Sequence, residues 1–411
     1  MEFITVLMYI AIYFGLFTTA YYLLSFVGQK RSVERVSEKK LPSVTILIPA
    51  HNEEDNIKKT VESALELDYP KDRFEIIILE NGSKDKTYEI AKEMEGRHVR
   101  AISLKEGGKA NALNYGTKLA KGEIIITMDA DTYAEKDALK NMIYRFTDDE
   151  VVGVASSMVI HNPKGFWQRI QKIEYLIGVY LRKAFKNMDA IHITPGAFSA
   201  YKKSFLIKHG GFDVGNITED LELSLRIQYL NLVTECADDA VVYTKAPDTF
   251  RDLLIQRRRW YAGLSKNLWK YKGLFSKKYG ELGLIVLPVA VMTVLFSIII
   301  TSWLTVTTLI NLKNQIDLLF SVNFDVFSLS AINKFVFERF FIMFFSNPLS
   351  WFTLILLLSI IFYLYFAKGR VKKYSSTVVS FTLFTVFFGM LFAFWWIVSL
   401  FYAIFVKKIS W

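Results

Sequence analysis

Glu123-Ile124-Ile125-Ile126-Thr127-Met128-Asp129-Ala130-Asp131 decides how this chain is read. The run from Ile124 to Met128 is apolar, rich in β-branched side chains and too short for a helix, so it reads as a buried strand. Carboxylates at 129 and 131 follow directly. Two carboxylates at i and i+2 bring several hard oxygens near one point, which suits Mg2+ or Mn2+ shared with phosphate oxygens. An Asp-x-Asp pair is common in surface loops; the buried strand in front of Asp129 and Asp131 is what gives this one meaning.

Upstream the pattern repeats. Apolar runs at Val44–Pro49, Phe74–Leu79 and Val99–Ser103 alternate with helical stretches at Glu54–Leu67, Asp85–Glu95 and Lys109–Ala120. This rhythm predicts an α/β domain with a mainly parallel sheet and helices on both faces. Ligands of such sheets sit at the carboxyl ends of the strands, so the polar residues ending each run are candidates. They are Pro49-Ala50-His51-Asn52-Glu53, then Glu80-Asn81-Gly82-Ser83, then Asp129 and Asp131. Gly107-Gly108-Lys109 opens a helix, so free backbone N–H groups and a lysine converge where a diphosphate would sit. It lacks the spacing and the Ser/Thr of a Walker loop.

Around this domain the composition changes. The chain has 411 residues, 52% of them hydrophobic, which is too apolar for an ordinary soluble domain and too charged for membrane throughout. Phe3–Val27 carries no charge and exceeds the ~20 residues that cross a bilayer as a helix, so a retained anchor is expected. Lys30, Arg31, Arg35, Lys39 and Lys40 follow, and the positive-inside rule places the next domain in the cytosol. Leu284–Ile310, Leu349–Ala367 and Thr377–Val406 are further candidate spans, with Pro288 and the Gly389 region as expected kinks. Phe335–Phe345 is too short to cross and reads as interfacial or re-entrant. Four crossings put both termini outside, against which Lys407 and Lys408 argue mildly. The expected division is 1–28 anchor, 29–248 cytosolic domain, 249–281 interfacial helices and 282–411 membrane region, a multi-pass protein of the cell membrane. Cys236 is the sole cysteine, which excludes an intrachain disulfide. The net charge of +10 is unaccompanied by any nucleic-acid-binding motif, so no nucleic acid partner is expected. Membrane flanks and an anionic substrate account for it.

Two motifs remain. Thr218-Glu219-Asp220 opens the helical run Leu221–Tyr229, where Thr218 reads as an N-cap with acids in the first turn. Gln256-Arg257-Arg258-Arg259-Trp260 combines a charged fork for phosphate with an indole on which a sugar face can stack, within an amphipathic stretch, Thr249–Tyr271, suited to a membrane surface.

The order Asp129-x-Asp131, Thr218-Glu219-Asp220, Gln256-x-x-Arg259-Trp260 between apolar helices resembles the processive family 2 glycosyltransferases, a group including cellulose, chitin, hyaluronan and poly-N-acetylglucosamine synthases. The resemblance covers Pro42 to Tyr271 in motif. It implies a GT-A-type, Rossmann-like fold and an inverting transfer from a nucleotide-sugar such as UDP-GlcNAc. The acceptor would be a growing polysaccharide or, in a non-processive alternative, a lipid. On the same resemblance Pro49, Ala50, Asn52, Glu53, Asn81, Lys109, Asp129, Asp131, Gln256, Arg259 and Trp260 bind the donor. Asp129 and Asp131 hold the metal, and Asp220 is the base, with Glu219 beside it. Thr194, Pro195, Gly196 and Trp260 border the acceptor. An accessory membrane subunit is a further implied partner. One departure stands out: the family usually carries Asp where this chain has Asn81.

Overall fold

The computed structural model describes residues 2–27, 41–105, 107–321, 341–342, 344–370 and 377–405. The predicted interfacial segment at Phe335–Phe345 lies largely outside them, as do Lys407 and Lys408.

Among the described residues eight strands form one sheet in the order β3-β2-β1-β4-β7-β6-β8-β5. The strands are β1 (Val44–Ala50), β2 (Phe74–Asn81), β3 (Val99–Leu104), β4 (Ile124–Met128), β5 (Tyr133–Ala134), β6 (Val151–Ile160), β7 (Phe198–Lys202) and β8 (Val233–Thr244). The helices of this part are α1 (Glu2–Leu24), α2 (Ile57–Leu65), α3 (Thr87–Glu93), α4 (Lys109–Leu119), α5 (Ala138–Ile143), α6 (Phe166–Asn187), α7 (Lys203–Lys208), α8 (Glu219–Tyr229) and α9 (Phe250–Lys270).

The first four strands in the order are parallel, as the alternation predicts. Both faces are covered, so successive side chains enter different cores: Ile46, Ile48, Ile76, Ile78, Ile124 and Ile126 into one, Leu47, Ile77, Leu79 and Ile125 into the other. Burial of both faces is why these strands lack polar alternation. The second half departs from the predicted parallel pattern, because β7 inserts antiparallel between β4 and β6. The register sets Met128 opposite Phe198. Residues just before β7 are thereby brought beside the carboxyl end of β4.

Among the described residues four helices are long and apolar enough to cross a membrane: Phe3–Leu24, Leu282–Asp317, Pro348–Phe366 and Val378–Phe405. They coincide with the spans read from the sequence. We label the last three helices α10 (Leu287–Ser321), α11 (Pro348–Arg370) and α12 (Val378–Phe405). At Pro288 the irregularity takes the form of a π-helical turn, Leu282–Val286, immediately before α10, where the altered ladder accommodates the missing N–H. A third core joins domain and span: Val159 of β6, Ile170, Ile173, Leu176 and Val179 of α6, and Leu253 of α9 pack with Leu364 of α11 and Phe384, Leu391 and Trp395 of α12.

Candidate active site

The carboxyl ends of β1, β2 and β4 meet as the sequence implies. The Asn52 N–H donates to Ser83 Oγ (3.1 Å) and the Lys84 N–H to Asn52 Oδ1 (2.9 Å), tying the loop after β1 to the loop after β2. The Glu53 N–H donates to Thr87 Oγ1 at 2.7 Å. Pro49 and Ala50 close β1, Ala50 buried and Pro49 half-buried. Asn81 is buried, and its Oδ1 accepts the Gly107 N–H at 3.2 Å, which anchors the glycine turn leading into α4.

Lys109, the first residue of α4, reaches across to β4: its Nζ lies 2.6 Å from Asp129 Oδ1 and 3.3 Å from Glu219 Oε1. One ammonium therefore links the Asp-x-Asp end of β4 to the first turn of α8. Burial alone would lower the lysine pKa, but the surrounding carboxylates, Asp129 first, raise it. Among the described residues Asp131 makes no ion pair, and Lys109 acts on it only through its charge. Burial, then the charges of Asp129 and Glu53, push its carboxyl up to about 7, and the Glu53 carboxyl is likewise raised, chiefly by burial. Among the described residues no group of three or more His, Cys, Asp or Glu forms a complete metal site. The chain thus offers a hard-oxygen pair, Asp129 and Asp131, whose negative charge Lys109 offsets only in part, and this fits a divalent cation whose remaining ligands come from elsewhere.

Asp220 sits in the first turn of α8, where Glu219 and Glu222 also lie and the helix dipole favours negative charge. Its Oδ1 accepts the Leu221 N–H at 2.8 Å. Burial first and Glu219 second raise its carboxyl to about 6, against the opposing pull of Lys109.

The stretch before β7 forms the opposite wall. The Asp129 N–H donates to the Ala197 carbonyl at 3.0 Å. Thr194 Oγ1 shares hydrogen bonds with Ser224 Oγ (2.5 Å) and Tyr201 Oη (3.0 Å), and the Pro195 carbonyl accepts from Ser199 Oγ (2.6 Å). Gly196 lies against Asp220: a Cβ there would collide with Asp220 Oδ2. Thr194, Pro195 and Gly196 are therefore walls of the Asp220 pocket. Ser224, which holds Thr194 and donates to the Asp220 carbonyl at 2.9 Å, was missed by the sequence reading because its importance depends on the fold.

Thr218 does not cap α8 with its side chain, contrary to the sequence reading. Its Oγ1 instead accepts from Asn267 Nδ2 of α9 at 3.0 Å, and Gly263 of α9 approaches so closely that a Cβ would collide with Thr218. α9 is thus seated on the start of α8. Trp260 packs with Ile160, Tyr175 and Ala246 at the carboxyl edge of β6 and β8. Gln256 Oε1 is buried without a hydrogen-bond partner among the described residues, and Arg259 is half-buried. The fork expected of three arginines is reduced: Arg257 is buried against Glu174, and Arg258 lies over the Tyr402 ring at 4.2 Å.

The comparisons agree with this geometry. Residues 45–210 match the model of the family described as Glycosyl transferase family 2. The chain is 32% identical over 252 residues to "Probable glycosyltransferase YdaM" of Bacillus subtilis (strain 168), covering 59% of this chain and 60% of that protein. It is 34% identical over 233 residues to "Poly-beta-1,6-N-acetyl-D-glucosamine synthase" of Staphylococcus aureus (strain MSSA476), covering 56% of each. These matches span less than two thirds of the relatives' length. Among solved structures, "Mannosyltransferase PcManGT from Pyrobaculum calidifontis in complex with GDP-Man and Mn2+" superposes with a TM-score of 0.54 at 22% identity, over 74% of this chain and 92% of that one. That likeness speaks for the fold. The sheet, the strand-end site and the family match converge: residues 45–210 match the model of glycosyl transferase family 2, on a sheet of the GT-A fold.

Proposed function

We propose that the chain transfers a sugar from a nucleotide-sugar donor to an acceptor hydroxyl with inversion, at the inner face of the cell membrane. One observation carries the reading: Lys109 bridges Asp129 and Glu219, the residue next to Asp220, and also feels the Asp220 charge, so the diphosphate grip and the helix turn that carries the proposed base stand around one cation. Asp220 takes the acceptor proton as that oxygen attacks the anomeric carbon. A carboxyl raised to about 6 suits the task, being ionised at neutral pH yet basic enough to hold a proton. Lys109 turns from Asp129 toward the diphosphate, with Arg259 as its companion from α9. Asp129 and Asp131 would hold Mg2+ or Mn2+, which when bound supplies Lewis-acid stabilisation of the departing diphosphate. Trp260 offers an apolar face to a sugar ring, and Thr194 to Gly196 shape the acceptor side.

The name of the S. aureus relative supports N-acetylglucosamine as the sugar and a β-linked polysaccharide as product. Asn81 bears on the nucleotide. Its Oδ1 already accepts the Gly107 N–H, but a carbonyl oxygen has a second lone pair for a base N–H. A second reading, one sugar placed on a lipid, draws support from the four candidate spans, which leave little room for an enclosed path.

The test is a panel of UDP- and GDP-sugars with Mg2+ or Mn2+ on purified full-length protein, followed by sizing of the aqueous product and organic extraction. Long polymer from UDP-GlcNAc is expected. A singly glycosylated lipid would transfer the argument to the second reading, and turnover of no donor would overturn both.

A further inference from the structure

Arg257 is 1% exposed, among the most deeply buried large side chains of the described residues. Its two terminal nitrogens bond both oxygens of Glu174 on α6, Nη1 to Oε1 at 2.8 Å and Nη2 to Oε2 at 2.7 Å, with Gln171 Oε1 at 3.5 Å. Its guanidinium carbon lies 4.4 Å from the Trp260 ring centroid and 5.5 Å from that of Trp395 on α12. The neighbours repeat the theme: Arg258 covers Tyr402, and Tyr261 stacks on Trp396 with centroids 4.6 Å apart and planes 6° from parallel. One buried fork thus joins α6, α9 and α12 and abuts the indole at the site.

We propose that Arg257 is a positioning residue, which fixes the Trp260 ring at the rim of the site and refers its position to the last apolar helix. Stability alone does not account for it, since a buried ion pair is commonly no better than well-packed apolar side chains. Geometry does. A planar fork fixed at both nitrogens by Glu174 cannot rotate, so a ring lying against it is held in one place, whereas a lysine can neither bond bidentately nor stack. The pair places a rigid surface one helical turn before Trp260. Displacement of α12 would reach the site through the same contact, by way of Trp395.

The inference rests on the transferase reading above, and the experiment separates them. In purified full-length protein with UDP-GlcNAc and Mn2+, or whichever donor the panel identifies, kcat and donor KM are measured for Arg257→Lys, Glu174→Gln, Trp260→Ala and the double variant Arg257→Lys/Trp260→Ala. Arg257→Lys is expected to lower kcat about tenfold or more with donor KM held within about twofold, the signature of a misplaced group rather than lost donor binding. The double variant should be no worse than Trp260→Ala alone, because Arg257 acts through that ring. Losses that multiply in the double variant, or an Arg257→Lys protein with unchanged kcat, would overturn the proposal. Should Arg257→Lys fail to fold, Glu174→Gln paired with Trp260→Ala makes the same comparison. Asp220→Asn is run alongside. Absence of turnover by the parent protein removes the transferase reading itself and turnover surviving in Asp220→Asn removes Asp220 as base, whereas an active parent with unaffected Arg257→Lys removes only the positioning role.

Discussion

Asp220 and Asp131 both have raised carboxyl pKa values, and the consequences differ. Asp220, raised to about 6 by burial and Glu219, is useful only when ionised. At saturating metal the kcat/KM profile should therefore level off above about pH 6 and fall about tenfold per unit below it. An acid limb near the ordinary aspartate value would remove Asp220 as base. Asp220→Asn should abolish turnover while nucleotide affinity, followed by calorimetry, survives. Asp131, at about 7, acts on stability. Its folded pKa exceeds its unfolded one, so its contribution is fully present below about pH 4 and is lost as pH rises through about 7. Metal-free protein should then lose on the order of a few kcal/mol between these limits. Asp131→Asn should raise the Tm measured in chelator at pH 8 and remove any gain on adding Mn2+. A variant less stable than the parent in chelator would contradict this account of the site.

At the scale of elements, the site depends on helices pressed close at glycines. Gly263 lets α9 sit on Thr218, at the mouth of the helix that carries Asp220. A valine there should push α9 off, at an overpacking cost of ~1–3 kcal/mol, and lower turnover through displaced Asp220 and Trp260. Gly96→Ala, with open space around its Cβ, serves as the neutral control; equal turnover in the two variants would show that this contact does not matter. The strand ends at Asn52, Asn81 and Asp129 were legible in the sequence because parallel strands covered on both faces write uninterrupted apolar runs. β8 was not. Its Glu235 and Asp238 are buried charges, held by Lys186 and by Lys183 and Arg145, and they break the hydropathy pattern. The Arg257–Glu174 pair was equally hidden: the partners stand 83 positions apart, with no local spacing to connect them, so Arg257 read as part of a charged fork for phosphate. Thr218 read as a cap for the same reason, its partner Asn267 lying 49 residues away.

At the scale of the whole molecule, domain and apolar helices share a core, which makes the domain's independence doubtful on energetic grounds. Ile170, Ile173, Leu176, Val179 and Leu253 pack in the cluster that contains Leu364, Phe384, Leu391 and Trp395. Each such side chain is worth ~1.5–3 kcal/mol when fully buried. Part of that burial comes from β6 and β8 and would survive removal of α11 and α12. Exposing even half of the five would still cost ~5 kcal/mol, comparable with the ~5–15 kcal/mol net stability of a domain. Truncation would also strip Trp395 from Arg257 and Trp396 from Tyr261, leaving a buried ion pair open to water and the Trp260 ring unsupported. A fragment of residues 41–274 is therefore expected to elute as aggregate without detergent and to turn over no donor, while full-length protein in detergent remains monodisperse and active. Size-exclusion chromatography with light scattering on the two proteins decides it. A soluble, monomeric fragment that still binds nucleotide would show that the helices serve only to anchor the domain, and that the aromatic contacts of α12 do not reach the site.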